Sequence, residues 1–255
     1  MSDLFFALLA AQAGGDGTPV APAPSPAAPF RVGSDVNIVV DANSYYALWT
    51  YPAIDTVGAF GQLVRERGAS SRNVAIPGQT WENMRVNISD MVRAFDPAKK
   101  NVLVCGETRN WVASTAGATA EQAVEQAKEY IAAAQEAVKV KHGKGFDRIV
   151  LCGTIPNSTL GDEPWKGDIP GLNRVLIRFD DYARAHYREM GADAFADFRT
   201  NTQWFGGDGT TKPGFAQTQA TVQEQLATGE WVHPTGVARE AFAEVIADAL
   251  KRLEA

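Results

Sequence analysis

The chain has 255 residues, 45% of them hydrophobic and 21% charged, which suits one fairly large globular domain with a core of its own. A formal net charge of −6 and the lack of any basic run argue against nucleic-acid binding. Two cysteines, Cys105 and Cys152, each end a short apolar run before a glycine, and with three scattered histidines they form no metal-ligand spacing.

The N-terminal segment reads two ways. Leu4 to Ala11 is apolar and Ala11-Gln12-Ala13 resembles a signal-peptidase site, yet the only early charge is Asp3, where a secretory signal carries positive residues. The stretch is also far too short to span a bilayer. A short helix or attachment tail fits better, followed over Gly14 to Pro29 by a Gly/Ala/Pro-rich linker. Residues 1–29 are therefore expected to tether the chain to a larger assembly such as a virion tail or cell-envelope complex, with an extracellular or virion setting favoured over the cytoplasm. The folded domain is expected over residues 30–255.

Within that domain, short apolar runs alternate with helical patterns. Val36 to Val40 predicts the first strand. Ile54 to Arg67 predicts a helix, with Val57, Phe60, Leu63 and Val64 spaced for one face. Asn73 to Ile76 reads as a second strand, Trp81 to Phe95 as a helix, Asn101 to Cys105 as the third strand and Thr119 to Lys141 as a long helix. Arg148 to Cys152 is the fourth strand, Gly171 to Met190 the next helix, Ala194 to Phe198 a weaker fifth strand, and Pro234 to Leu253 the closing helix. Strands alternating with helices imply a parallel sheet with right-handed crossovers, covered on both faces. The long loop from Thr200 to Gly229 is of a length that usually carries function or disorder.

In such a sheet, sites form beyond the carboxyl ends of the strands. Four polar loops leave those ends: Asp41-Ala42-Asn43-Ser44, Pro77-Gly78-Gln79-Thr80, Gly106-Glu107-Thr108-Arg109-Asn110 and Gly153-Thr154-Ile155-Pro156-Asn157. The loop Glu230-Trp231-Val232-His233-Pro234 precedes the last helix and can return to the same rim. A serine hydroxyl needs a base to take its proton during attack, and His233 can supply one, with Glu230 orienting the imidazole. Alone, Ser44 is a common helix cap, Gly78 a turn residue and Glu230 a solvated charge; their order along one rim is what suggests chemistry. His142 and His186 fall on helical segments and read as surface residues.

This order of blocks resembles the SGNH (GDSL-like) hydrolase family over most of the chain from about Val36 onward. The family's Gly-Asp-Ser is matched by Ala42-Asn43-Ser44, its second-block glycine by Gly78, its Gly-x-Asn-Asp by Gly106 to Asn110, and its Asp-x-x-His-Pro by Glu230 to Pro234. The resemblance implies a flavodoxin-like three-layer α/β/α sandwich with a five-stranded parallel sheet, and cleavage of an acyl ester without metal or organic cofactor. It assigns Ser44 as nucleophile, His233 as base and Glu230 as its partner. Gly78 and Asn110 become oxyanion donors, with Arg109 as the alternate. Trp111 and Trp231 are candidate walls for a glycan or other small ester substrate. The rival expectation is a non-catalytic binding or structural module on the same fold.

Overall fold

The computed structural model describes residues 29–43, 58–154, 169–200 and 236–254. Residues 1–28 of the expected tether, residues 201–229 of the expected long loop, Ser44, Glu230, Trp231 and His233 lie outside the described residues. Five strands form one parallel sheet: β1 Val36–Ala42, β2 Ser70–Asn73, β3 Lys100–Gly106, β4 Arg148–Cys152 and β5 Ala194–Ala196, in the order β2-β1-β3-β4-β5. This is the flavodoxin-like doubly wound order. The helices are α1 Gly58–Arg67, α2 Trp81–Val86, α3 Ile88–Ala94, α4 Arg109–Ser114, α5 Ala120–His142, α6 Ile169–His186 and α7 Gly236–Arg252.

Strand alternation divides the core in two. Val36, Ile38, Val40 and Ala42 of β1 face α1 and α7, where Phe60, Leu63, Phe242 and Ile246 meet them. Val39, Leu103, Cys105, Ile149 and Leu151 face the other layer, built from α2 to α6. The near-continuous apolar runs of β1, β3 and β4 follow from this, because both of their faces are covered. Each such side chain contributes roughly 1.5–3 kcal/mol on leaving water.

The longest helix shows how local signals and packing agree. Thr119 caps α5 by accepting from the Gln122 N–H, and Gln122 returns the bond to the Thr119 N–H. Ala123, Val124, Ala127, Tyr130, Ile131, Ala134 and Val138 recur at steps of three and four and are buried. Gly143, at φ +77, ends the helix in a left-handed conformation.

Three sequence expectations are corrected. β2 lies three residues earlier than expected, over Ser70–Asn73, because a half-exposed edge strand needs no apolar run. The apolar residues beyond it do continue along β1, with the Val74 and Ile76 N–H groups donating to the Val40 and Ala42 carbonyls. The helix expected over Trp81–Phe95 breaks at Asn87 into α2 and α3. β5 stops at Ala196, and Phe198–Thr200 turns into a short 3-10 helix. The open edge of β5 is covered by Arg252, whose guanidinium donates to the Phe195 carbonyl at 2.9 Å. Among the described residues, no helix is long and apolar enough to cross a membrane.

Candidate active site

The two crossovers that leave β1 and β3 pack on opposite faces, through α1 on one side and through α4 and α5 on the other. That change of side between neighbouring strands makes their carboxyl ends the topological switch point of the sheet, where open α/β sheets place their ligands. The register puts Ala42 beside Gly106, so the first and third loops leave the sheet side by side. Asn43, the residue before Ser44, is buried, and its amide donates to the Glu107 carbonyl at 3.4 Å.

The second loop is tied to the first. Gln79 is buried, and its Nε2 donates to the Ala42 carbonyl at 2.6 Å and to Asp41 Oδ1 at 3.2 Å. The other Asp41 oxygen accepts from the Tyr130 hydroxyl of α5 at 2.5 Å. Burial pushes the Asp41 carboxyl up to about 6, and the bonds from Tyr130 and Gln79 pull it part of the way back. Gly78 is exposed with φ +78, a conformation that disfavours any other residue. A side chain there would meet nothing within 4 Å among the described residues, and the positive φ by itself calls for glycine.

The third loop turns at once into α4. Glu107 is buried, and its Oε1 accepts from the Asn110 and Trp111 N–H groups at 2.8 and 3.2 Å, holding the first turn of that helix. Burial drives the Glu107 carboxyl well above the usual carboxylate range against the pull of these donors, and the nearby Glu82 carboxylate adds to the rise. Arg109 is buried at 3% exposure. Asn110 turns toward the second loop, its Nδ2 donating to the Gln79 carbonyl at 3.1 Å. Trp111 is buried at 6% exposure, with its indole N–H held by Glu82 at 2.5 Å.

The fourth loop is anchored by Asp180 of α6. Its carboxylate accepts from the Thr154 N–H at 2.8 Å and from the Thr154 hydroxyl at 2.9 Å, with Arg199 3.6 Å away. Complete burial carries Asp180 up to about 7, opposed by Thr154 and Arg199 and reinforced by Asp197.

Unsatisfied polar atoms gather at the same rim. Among the described residues, five buried side-chain atoms lack a hydrogen-bond partner; three belong to Gln79, Glu107 and Thr108 of the second and third loops and a fourth to Trp81, which opens α2. A buried polar atom without a protein partner costs free energy unless water meets it. The histidines separate as well. His142 ends α5, stacks on Phe95 and is half-buried rather than on the surface as expected; His186 ends α6 and contacts Glu189. Both helices run from the carboxyl rim back to the opposite edge, so neither histidine serves that rim. Both cysteines are buried thiols outside any disulfide, on opposite faces of the sheet.

Sequence reasoning marked Gly78, Arg109, Asn110 and Trp111 but passed over Asp41, Gln79, Tyr130 and Asp180. Asp41 and Gln79 stood inside the quoted loops, and their polarity at a strand end was the available signal. Tyr130 carries none, because its position on the buried stripe of α5 matches that of any core aromatic.

No family model and no curated protein matches the sequence. Solved structures do. A carbohydrate acetylesterase from Sinorhizobium meliloti superimposes with a TM-score of 0.59 at 11% identity, covering 85% of this chain and 99% of its own. A member of the lipolytic G-D-S-L family from Veillonella parvula gives 0.53 at 15%, covering 85% and 99%. A lipolytic protein of the same family description from Desulfitobacterium hafniense gives 0.54 at 14%, covering 84% and 98%. The fold is thus the SGNH-hydrolase type of three-layer sandwich, as the block order implied.

Proposed function

We propose that the chain is a serine esterase of SGNH type that removes an acyl group, most simply acetyl, from a carbohydrate or similar small ester. Ser44 attacks the ester carbonyl while His233 takes its proton. Glu230 orients the imidazole and stabilises its charged form. The Gly78 and Ser44 N–H groups and the Asn110 amide, or Arg109 in its stead, receive the oxyanion. His233 then returns the proton to the leaving alcohol, and water attacks the acyl-enzyme by the same path. Trp231 and Trp111 are assigned to the aromatic side of the cleft.

The observation that carries this reading is the convergence of the first three loops at the switch point. Ala42 pairs with Gly106, Gln79 bonds Ala42, and Asn110 bonds Gln79. The location of His142 and His186 at the far edge supports His233 as the base by elimination. The solved carbohydrate acetylesterase on the same fold motivates the substrate class.

One observation favours the second reading, a non-catalytic module tethered through residues 1–29. The Asn110 amide assigned to the oxyanion is already engaged by Gln79. A single experiment separates the two: incubation with p-nitrophenyl acetate and with a fluorophosphonate probe. The esterase labels at Ser44 and turns over, and both signals vanish in Ser44→Ala and His233→Ala. Its rate climbs with pH through the imidazole range, about 6.5 for an unperturbed histidine. An unlabelled serine and no turnover leave the binding module.

A further inference from the structure

We propose that Gln79 is a positioning residue of this site, its side chain setting the second loop against the first and its main chain setting the third against the second. The inference deepens the esterase reading and rests on it. Gly78, whose N–H is assigned to the oxyanion, sits at an exposed turn where even an added side chain would meet nothing within 4 Å. Among the described residues, no neighbour packs against the Cα side of that turn. The turn's own hydrogen bond, from the Gln79 N–H to the Ile76 carbonyl, is long at 3.4 Å. The short bond is the one made by the side chain: Gln79 Nε2 to the Ala42 carbonyl, at 2.6 Å. Ala42 lies two residues before Ser44, so one amide group joins the strand leading to the nucleophile to the residue beside Gly78. The Gln79 carbonyl then holds the Asn110 amide at 3.1 Å. Three groups with separate roles in the reaction thus hang on one buried residue.

The chemistry of the tie is specific. Both partners of Nε2, the Ala42 carbonyl and the Asp41 carboxyl, are acceptors. The Ala42 carbonyl accepts at every pH, so the short bond needs a donor, and a carboxyl at position 79, with its single O–H, supplies one only while it holds its proton. In Gln79→Glu the tie is thus broken when the new carboxyl ionises and restored as pH falls. A residue that merely fills space has no such dependence. Misplacing a reacting group by about 1 Å costs on the order of 100-fold in rate, so Gln79→Ala should lower kcat by roughly 30- to 100-fold with KM within about threefold.

Two measurements test this. In the wild-type protein, hydrogen exchange of the Gln79 side-chain amide, followed by NMR, should be at least about tenfold slower than that of the exposed Gln62, as burial and two acceptors require. Comparable rates for the two overturn the tie, whether or not the protein is an enzyme. In the second, p-nitrophenyl acetate turnover by Gln79→Glu is divided by that of the wild type across the range from about pH 8 to pH 5, with folding checked by thermal melting. A ratio that rises at least several-fold toward low pH supports the proposal, even if Gln79→Ala does not fold. A flat ratio, or a kcat of Gln79→Ala equal to wild type, overturns the positioning role. A wild-type chain without Ser44-dependent turnover overturns the esterase reading and the positioning role together, and the exchange rate still decides whether the tie exists.

Discussion

The two edges of the sheet carry buried polar clusters of opposite character. At the amino edge, Asn37 and Asn101 pair across β1 and β3. The Asn37 amide donates to Asn101 Oδ1 and the Ala94 carbonyl, both at 2.9 Å. The Asn101 amide donates to the Asp96 and Lys99 carbonyls, and Asn101 Oδ1 also accepts the Asp96 N–H. Every amide hydrogen there has a partner, and the cluster holds the start of the sheet to the end of α3. At the carboxyl edge, Gln79 Oε1 and Thr108 Oγ1 find no partner among the described residues, and Asp41, Glu107 and Asp180 have carboxyls raised by burial. A satisfied network serves rigidity. Buried carboxyls raised by desolvation where three loops converge have the marks of a site rather than of a scaffold.

The comparison breaks most sharply if the two edges respond alike to mutation. At the carboxyl edge, Ser44→Ala or His233→Ala should reduce ester turnover by on the order of 10,000-fold or more while the melting temperature barely moves. Retained turnover in either variant, measured on p-nitrophenyl acetate, would remove the carboxyl edge from the chemistry. At the amino edge, Asn101→Ala should do the reverse. It leaves one Asn37 amide hydrogen and the Asp96 N–H without their acceptor in a buried place, at a cost of about 3 kcal/mol in stability by urea denaturation. Its kcat per folded molecule should equal that of wild type.

How far these edges were readable from sequence follows the same division. β1, β3 and β4 announce themselves because burial on both faces demands unbroken Val, Ile and Leu. β2, with Ser70, Ser71, Arg72 and Asn73, does not, because its place is set by pairing with β1 rather than by hydropathy. Asn87 breaks a periodic stretch that runs apolar on either side of it. At the site, Gly78 and Asn110 were legible as members of ordered blocks. The bond from Tyr130 to Asp41 spans 89 positions, and that from Gln79 to Ala42 spans 37. Periodicity tells which face a residue occupies but not which distant partner waits there, so the ties that assemble the rim had to come from the structure.

A smaller effect concerns pH. Asp41 and Asp180, at about 6 and about 7 in the native state, lie above their ordinary 3.8. Over the interval between these values the native state holds more protons than the unfolded one, so their contribution to stability is complete below about pH 4 and is lost as pH rises through the native values. The melting temperature should therefore fall by several degrees between about pH 5 and pH 8, with part of that slope removed in Asp180→Asn. Activity that depends on a neutral His233 climbs over the same range, so the two profiles should cross. A melting temperature that is flat or rising there, with Asp180→Asn parallel to wild type, would show that the carboxyl edge is not where the acids are strained.

The smallest expected change sharpens the comparison most. Tyr130→Phe removes one hydroxyl and keeps the ring that packs against Trp81 with centroids 5.5 Å apart. The bond it deletes lowers the Asp41 carboxyl, so in the variant that carboxyl should titrate higher than about 6. A hydrogen bond to a charged group contributes about 2 kcal/mol and one between neutral groups about 1 kcal/mol. The loss in Tyr130→Phe should accordingly be about twice as large near pH 8, where the native wild-type carboxyl is ionised, as near pH 5, where it is protonated. Removal of a hydroxyl from a fully satisfied neutral network has no such asymmetry. Urea denaturation of both proteins at the two pH values reads it directly, and an equal loss at both would place Asp41 in the same structural class as Asn37 and Asn101.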